Sequence, residues 1–162
     1  MTPPAATARR RGRKRDYQRG VTLIELVVVA ASIAVLAAIA IPSYRSHLLR
    51  AHRTEARASL LALATAQEKF HLQCRYYASA LDPGKDSDCV KASLDFPARS
   101  ERGYYAIRIT SANASGWTAE SSPTGPPQSE DRPCQRFGLA SSGRKRAWDA
   151  ARRDNVMECW GR

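Results

Sequence analysis

The sequence predicts an α+β chain in which one long N-terminal helix lies on a short antiparallel sheet. Three features carry that expectation. Residues 21–41 form an apolar run whose one charged residue is Glu25. Apolar side chains then recur at helical spacing as far as Cys74. Beyond residue 103, short alternating runs follow one another, separated by turn residues.

The 162 residues suffice for one domain, or a small domain with a tail. With 26 Lys and Arg against 15 Asp and Glu, the net charge is +11 and the sequence pI near 10.1, a balance that suits nucleic acid or an anionic membrane face. The charge is uneven. Arg9, Arg10, Arg11, Arg13, Lys14, Arg15 and Arg19, opposed by Asp16 alone, put +6 of that charge into residues 1–20. A mean hydropathy of −0.46 excludes a multi-span membrane protein but allows one span. The four cysteines include no C-x-x-C pair, which argues against a zinc ribbon. Aromatic and charged fractions of 7% and 25% argue against wholesale disorder.

As a helix, residues 21–41 would span about 31 Å, the thickness of a bilayer's hydrocarbon. Twelve of them are Val, Leu or Ile. Together these favour insertion by about 5 kcal/mol, against a cost of at most about 3 kcal/mol for one acid. A buried core helix fits poorly, because no polar face interrupts the run. A cleavable secretory signal, cut after Ala38-Ile39-Ala40 to release a soluble protein, is the stronger competitor. Against it, the run exceeds the 7–15 residues typical of such signals. Glu25 within the run would also have no purpose, whereas an acid embedded in a membrane ordinarily has one.

The stretch Arg19-Gly20-Val21-Thr22-Leu23-Ile24-Glu25-Leu26 closely resembles the processing site of type IV prepilins. The resemblance implies a basic leader, residues 1–20, removed by a prepilin peptidase between Gly20 and Val21. Val21, where Phe or Met is commoner, would become the N-methylated terminus. It further implies that Glu25 pairs with the N-terminal amine of a neighbouring subunit as it joins the filament. The physical logic agrees: carboxylate and amine are both short of partners in hydrocarbon, and such a pair gives register more than stability. A Glu25 that only snorkels to the membrane surface is the plainer alternative.

The basic residues ahead of the span favour a cytoplasmic N-terminus, although Arg45, Arg50, Arg53 and Arg57 follow it. That orientation places the rest outside the inner membrane, in an oxidising space that suits disulfides. Pro42 should kink or open the helix locally; pilins commonly carry a proline at this offset. The sequence thus divides into a transmembrane and filament-core helix, 21–42, and an amphipathic helix, 43–73. In the second, Ala56, Leu60, Leu63, Ala66, Phe70 and Cys74 share one arc, with Arg57, Gln67, Glu68 and Lys69 read outside it. Arg53-Thr54-Glu55-Ala56 also resembles PilE-like minor pilins.

Residues 74–102 read as a connecting loop, with Asp82-Pro83-Gly84 a turn. Residues 103–162 read as the sheet and a disulfide-bridged C-terminal region. Its strands are Tyr104 to Thr110, Trp117 to Ser121 after the turn Asn113–Gly116, and one near Gln135 to Ala140. Ser122 to Pro133 reads as a loop, and Ser141-Ser142-Gly143 turns into a tail of no assigned structure. Cys74, Cys89, Cys134 and Cys159 allow three pairings. Pairing sequence neighbours closes short loops, and a bridged C-terminal loop resembles that of type IV pilins; the pairing stays open.

His47, His52 and His71 make no i, i+4 pair, and His71-x-x-Cys74 is only half a metal site, so neither metal nor cofactor is expected. No nucleophile elbow, P-loop or dinucleotide fingerprint is present, and no catalytic site is read. Arg144, Lys145 and Arg146, with Trp148 nearby and Arg152-Arg153 behind, are candidate DNA contacts; a solvated face or subunit contact is the plainer reading. The expectation is therefore a non-enzymatic minor type IV pilin, held by one span in the inner membrane with its C-terminal domain periplasmic, then built into an extracellular pilus. Its partners would be other pilin subunits in a hetero-oligomeric filament, the prepilin peptidase and the pilus assembly machinery. A type II secretion pseudopilin and a DNA-binding receptor in DNA uptake are the alternatives; the four cysteines stand against the pseudopilin.

Overall fold

The computed structural model describes residues 21–161, so the basic leader and Gly20 lie outside the described residues. The chain divides at Ile41/Pro42 into two compact units. Helix α1, Leu23–Cys74, runs across that boundary and keeps Pro42 within its length.

In the first unit α1 is long and apolar enough to cross a membrane, and its side chains, Leu23, Ile24, Leu36 and Ile39 among them, are exposed. Thr22 starts the helix: its Oγ1 accepts the backbone N–H of Glu25 at 3.3 Å. A hydroxyl in that position satisfies one of the amides a helix leaves unpaired at its start.

In the second unit the remainder of α1 buries Arg53, Ala56, Leu60, Leu63, Gln67 and Phe70. Gln67 corrects the sequence reading. It lies four residues past Leu63 and three before Phe70, inside the buried stripe rather than outside it. Burial is tolerated because both ends of its amide are paired: Nε2 donates to the Ala78 carbonyl at 2.8 Å and Oε1 accepts the Ala78 N–H at 2.9 Å. That exchange imitates one rung of a β-ladder and holds the chain just past the helix. Arg75, at φ 66°, ends α1 in the left-handed region.

The segment read as a connecting loop carries two very short strands, β1 (Ala80–Leu81) and β2 (Ser93–Leu94), paired in parallel. The main sheet is antiparallel and follows chain order: β3 (Tyr105–Ala112), β4 (Trp117–Pro123), β5 (Arg136–Ala140) and β6 (Lys145–Trp148). One face meets α1. Tyr105, Ile107, Trp117, Ala119, Phe137, Leu139 and Ala147 join Ala56, Leu60, Leu63 and Phe70 in a single core. The α+β arrangement of a long helix on an antiparallel sheet is thus present.

Strand β6 supplies structure for the tail after Gly143 to which the sequence assigned none. The three residues Ser141–Gly143 close a hairpin, with Gly143 at φ 76° and its N–H on the Ala140 carbonyl. A short helix α2, Val156–Trp160, follows and buries Cys159 and Trp160. Disulfides join Cys74 to Cys89 and Cys134 to Cys159, with Cα–Cα distances of 5.4 and 5.6 Å.

Candidate functional site

Two groups of residues bear on function, one in each unit. In the first, Val21 is exposed and Glu25 occupies the third position of α1, after the Thr22 cap. A carboxylate there lies at the positive end of the helix dipole. Among the described residues the Glu25 side chain is exposed and has no hydrogen bond or ion pair.

The second group is the outer face of the sheet. Alternation along the strands sends Tyr105, Ile107, Ala119, Phe137, Leu139 and Ala147 inward, and sends their neighbours out. The register then aligns Arg108, Glu120, Gly138 and Arg146 in one row across all four strands. Arg136 pairs with Trp148 in the next row. A bulge beside Thr110 brings its hydroxyl to 2.7 Å from that of Thr118.

Trp148 organises this face. Its Cη2 and Cζ3 lie 3.2 Å from where a Cβ on Gly138 would stand, so the ring packs close over the glycine and any larger residue there would have to push it aside. The half-buried indole lines two clefts. The first, about 340 Å³, carries Arg144 and Arg146 with Thr110, Thr118 and Ser142. The second, about 590 Å³, carries Arg136 and Arg152.

The acids lining these clefts are already engaged. Glu120 meets Arg136 at 3.5 Å, and Asp149 meets Arg153 at 2.8 Å. The Asp149 carboxyl also accepts the backbone N–H groups of Arg153 and Ala151, and these bonds hold it below the usual carboxylate range. Arg144, Arg146 and Arg152 make no ion pair among the described residues.

Of the residues singled out in the sequence, Arg144, Arg146 and Trp148 come together here. Lys145 does not: alternation turns it to the other side of β6, where Nζ lies 5.3 Å over the Trp160 ring. Arg108, Arg136 and Gly138 belong to the face and were missed. Their signal was present, since each occupies an outward position of an alternating run, but joining them to Arg146 and Trp148 required knowledge of β6.

Behind the sheet lies a buried polar cluster that the sequence reading also missed. Arg53 Nε and Nη2 donate to the two oxygens of Asp131, each at 2.7 Å, with Glu158 at 3.6 Å from Nη1. Burial pulls the guanidinium down, and the bonds to Asp131 more than reverse this, leaving it raised. Gln128 Nε2 donates to the Tyr105 hydroxyl at 2.6 Å, and its Oε1 accepts from His52 Nδ1 at 2.9 Å. Burial pushes the Tyr105 hydroxyl up to about 12. These bonds clip the segment before β5 to α1. Arg53, three residues ahead of Ala56 on the apolar stripe, hinted at an inward charge; nothing in the sequence named Asp131 as its partner.

Residues 42–138, more than half of the chain, match the family model described as type IV minor pilin ComP, DNA uptake sequence receptor. The type IV major pilin protein PilA of Myxococcus xanthus is 48% identical over 94 residues, covering 58% of this chain and 38% of its own. Prepilin peptidase-dependent protein D of Escherichia coli is 32% identical over 110 residues, covering 68% of this chain and 69% of its own. The non-core minor pilin PilV of Neisseria meningitidis superposes with a TM-score of 0.46 at 20% identity, covering 65% of this chain and 91% of that one. The chain spans 38% and 41% of the length of PilA and of the Neisseria gonorrhoeae type IV major pilin protein PilE1. The match over residues 42–138, together with the helix-on-sheet fold, makes this chain a member of the type IV minor pilin family.

Proposed function

We propose that this chain is a minor structural subunit of a type IV pilus and not an enzyme. The observation that carries the reading is the first half of α1, apolar and exposed and capped by Thr22, with Glu25 in its opening turn. In this reading residues 1–20 are a leader that the prepilin peptidase removes after Gly20, and Val21 becomes the methylated terminus. Residues 21–42 anchor the subunit in the inner membrane and later pack in the filament core. Glu25 registers the subunit against a neighbour's amine, and Pro42 loosens the helix where the anchor gives way to residues 43–73. The segments 74–102 and 103–162 complete a domain that is periplasmic before assembly and extracellular afterwards. Other pilin subunits and the pilus assembly machinery are its partners. The mass of the N-terminal peptide from the native host tests this. A peptide beginning at Val21 and one methyl group heavier supports prepilin processing; a start near Ser43 overturns it.

A second reading, a DNA-binding role in DNA uptake, is favoured by the unpaired arginines beside Trp148. The family model's own description also names a DNA uptake sequence receptor. Phosphate binding by such a face weakens steeply with salt. Salt-dependent DNA binding by the full chain, lost in Arg144→Ala and Arg146→Ala, supports it; binding indifferent to both variants overturns it.

A further inference from the structure

We propose that the outer face around Trp148 takes single-stranded DNA, one base stacking on the indole while the phosphates on either side rest on the arginines of the two clefts. This rests on the reading that the chain binds DNA, and it specifies the form of DNA.

Four observations carry it. Trp148 borders both clefts, so the ring is a partition with cationic ground on each side: Arg144 and Arg146 in one, and in the other Arg152, with Arg136 there already paired to Glu120. Proteins that hold single strands combine these two parts, a basic track for the backbone and an aromatic on which a base lies. Second, the ring is seated beforehand. Its distal edge sits over Gly138, where no Cβ intrudes, so little side-chain freedom is lost when a base arrives. Third, the acids of the clefts are each held by an arginine, and repulsion of phosphate is reduced. Fourth, among the described residues the face offers no element shaped to read bases in a duplex's major groove. Reading the major groove takes a helix or a free two-stranded ribbon. Here β5 is bonded on both sides, to β4 and β6, and is not free to enter a groove. A duplex also keeps its bases stacked on one another, out of reach of Trp148. In an unpaired strand the base faces are open, and Thr110, Thr118 and Ser142 give the first cleft polar side chains of the kind that can meet base edges.

The test uses the full chain in detergent micelles at low salt, with a mixed-sequence oligodeoxynucleotide of about twelve nucleotides, a length within the range such sites cover. The same strand annealed to its complement is the second probe, and dextran sulfate, a polyanion without bases, the competitor. The single strand is expected to bind about tenfold tighter than the duplex and to quench tryptophan emission. Of the three tryptophans Trp117 and Trp160 are buried, so the quench reports Trp148. Trp148→Ala is expected to lose about tenfold toward the single strand, with the quench, and to leave the duplex unchanged. Trp148→Phe should retain most of the affinity, which separates lost stacking from lost folding. Equal binding of both forms, untouched by Trp148→Ala, overturns the single-strand assignment and leaves DNA binding standing. Displacement by dextran sulfate with no quench on DNA overturns the stacking and leaves a surface for polyanions. Binding of neither probe overturns the assignment and the DNA reading together.

Discussion

Arg53 and Asp131, 78 residues apart in sequence, meet in the interior through two parallel hydrogen bonds of 2.7 Å. Their side chains are 7% and 2% exposed, so neither charge has water to fall back on. Replacing one partner strands the other. Asp131→Ala is expected to cost about 3 kcal/mol or more in denaturant unfolding. A double variant, Arg53→Met with Asp131→Leu, should recover much of that loss, because the burial of charge is then relieved on both sides. A double-mutant cycle measures the difference.

Tyr105 makes the fold sensitive to alkali. Its hydroxyl is pushed up to about 12 by burial, against an ordinary value of 10.0. Between those values the unfolded chain has released this proton while the folded chain keeps it. Stability therefore falls as pH rises from about 10 toward about 12, and below about 10 this contribution is fully present. Unfolding midpoints measured from pH 8 to 11 should drop more steeply for the native chain than for Tyr105→Phe. Comparing the two removes the titration of lysines, which both share.

Gln67 predicts a local effect. Without its amide, the N–H and the carbonyl of Ala78 both lose their buried partner. Gln67→Ala should cost about 2–3 kcal/mol. Hydrogen exchange at the Ala78 amide should quicken well beyond the change at β4.

Gly138 can be tested from the opposite direction, by adding atoms. A Cβ at this position would meet Trp148 at 3.2 Å and Arg146 at 3.3 Å. Gly138→Val is expected to displace the indole, exposing it to an aqueous quencher such as acrylamide, while the far-UV spectrum stays native. An unchanged Stern–Volmer slope would contradict the seating of the ring.

The Cys134–Cys159 bridge closes a loop of 25 residues. Cys134→Ser with Cys159→Ser should lower stability by about 3 kcal/mol, chiefly through a freer unfolded chain. The same denaturant series run with and without reductant checks the magnitude.

Much of this architecture was legible because its periodicities are strong. Residues 21–41 have no polar face, the stripe from Ala56 to Phe70 repeats at helical spacing, and β3 alternates Tyr105, Ile107 and Ile109 against Ala106 and Arg108. Strand β6 was not legible for a reason specific to it. Arg144 before it and Lys145 and Arg146 within it are all charged, and Ala147 is its one small inward residue, so alternation leaves almost no hydrophobic trace. Without β6 the outer face could not be assembled. Lys145 then reads with its sequence neighbours, and Arg136 and Gly138 lack their partners Trp148 and Arg146. Gln67 shows a different limit: a polar side chain reads as outward until its partner, here the backbone of Ala78, is known. The Arg53 cluster shares that difficulty, because its partners come from a loop.

The bridge between Cys134 and Cys159 also has a mechanical meaning. Tension carried along the backbone would pass from Cys134 to Cys159 through sulfur, bypassing β5, β6 and the turn between them. The bridge from Cys74 to Cys89 does the same at the end of α1, across 15 residues. Fully drawn out, the two shunted segments would have added about 130 Å of contour. That slack is withheld from any pull. Under load only residues 90–133 of the sheet-bearing part can pay out between the two bridges, and the strand pair carrying Trp148 is spared.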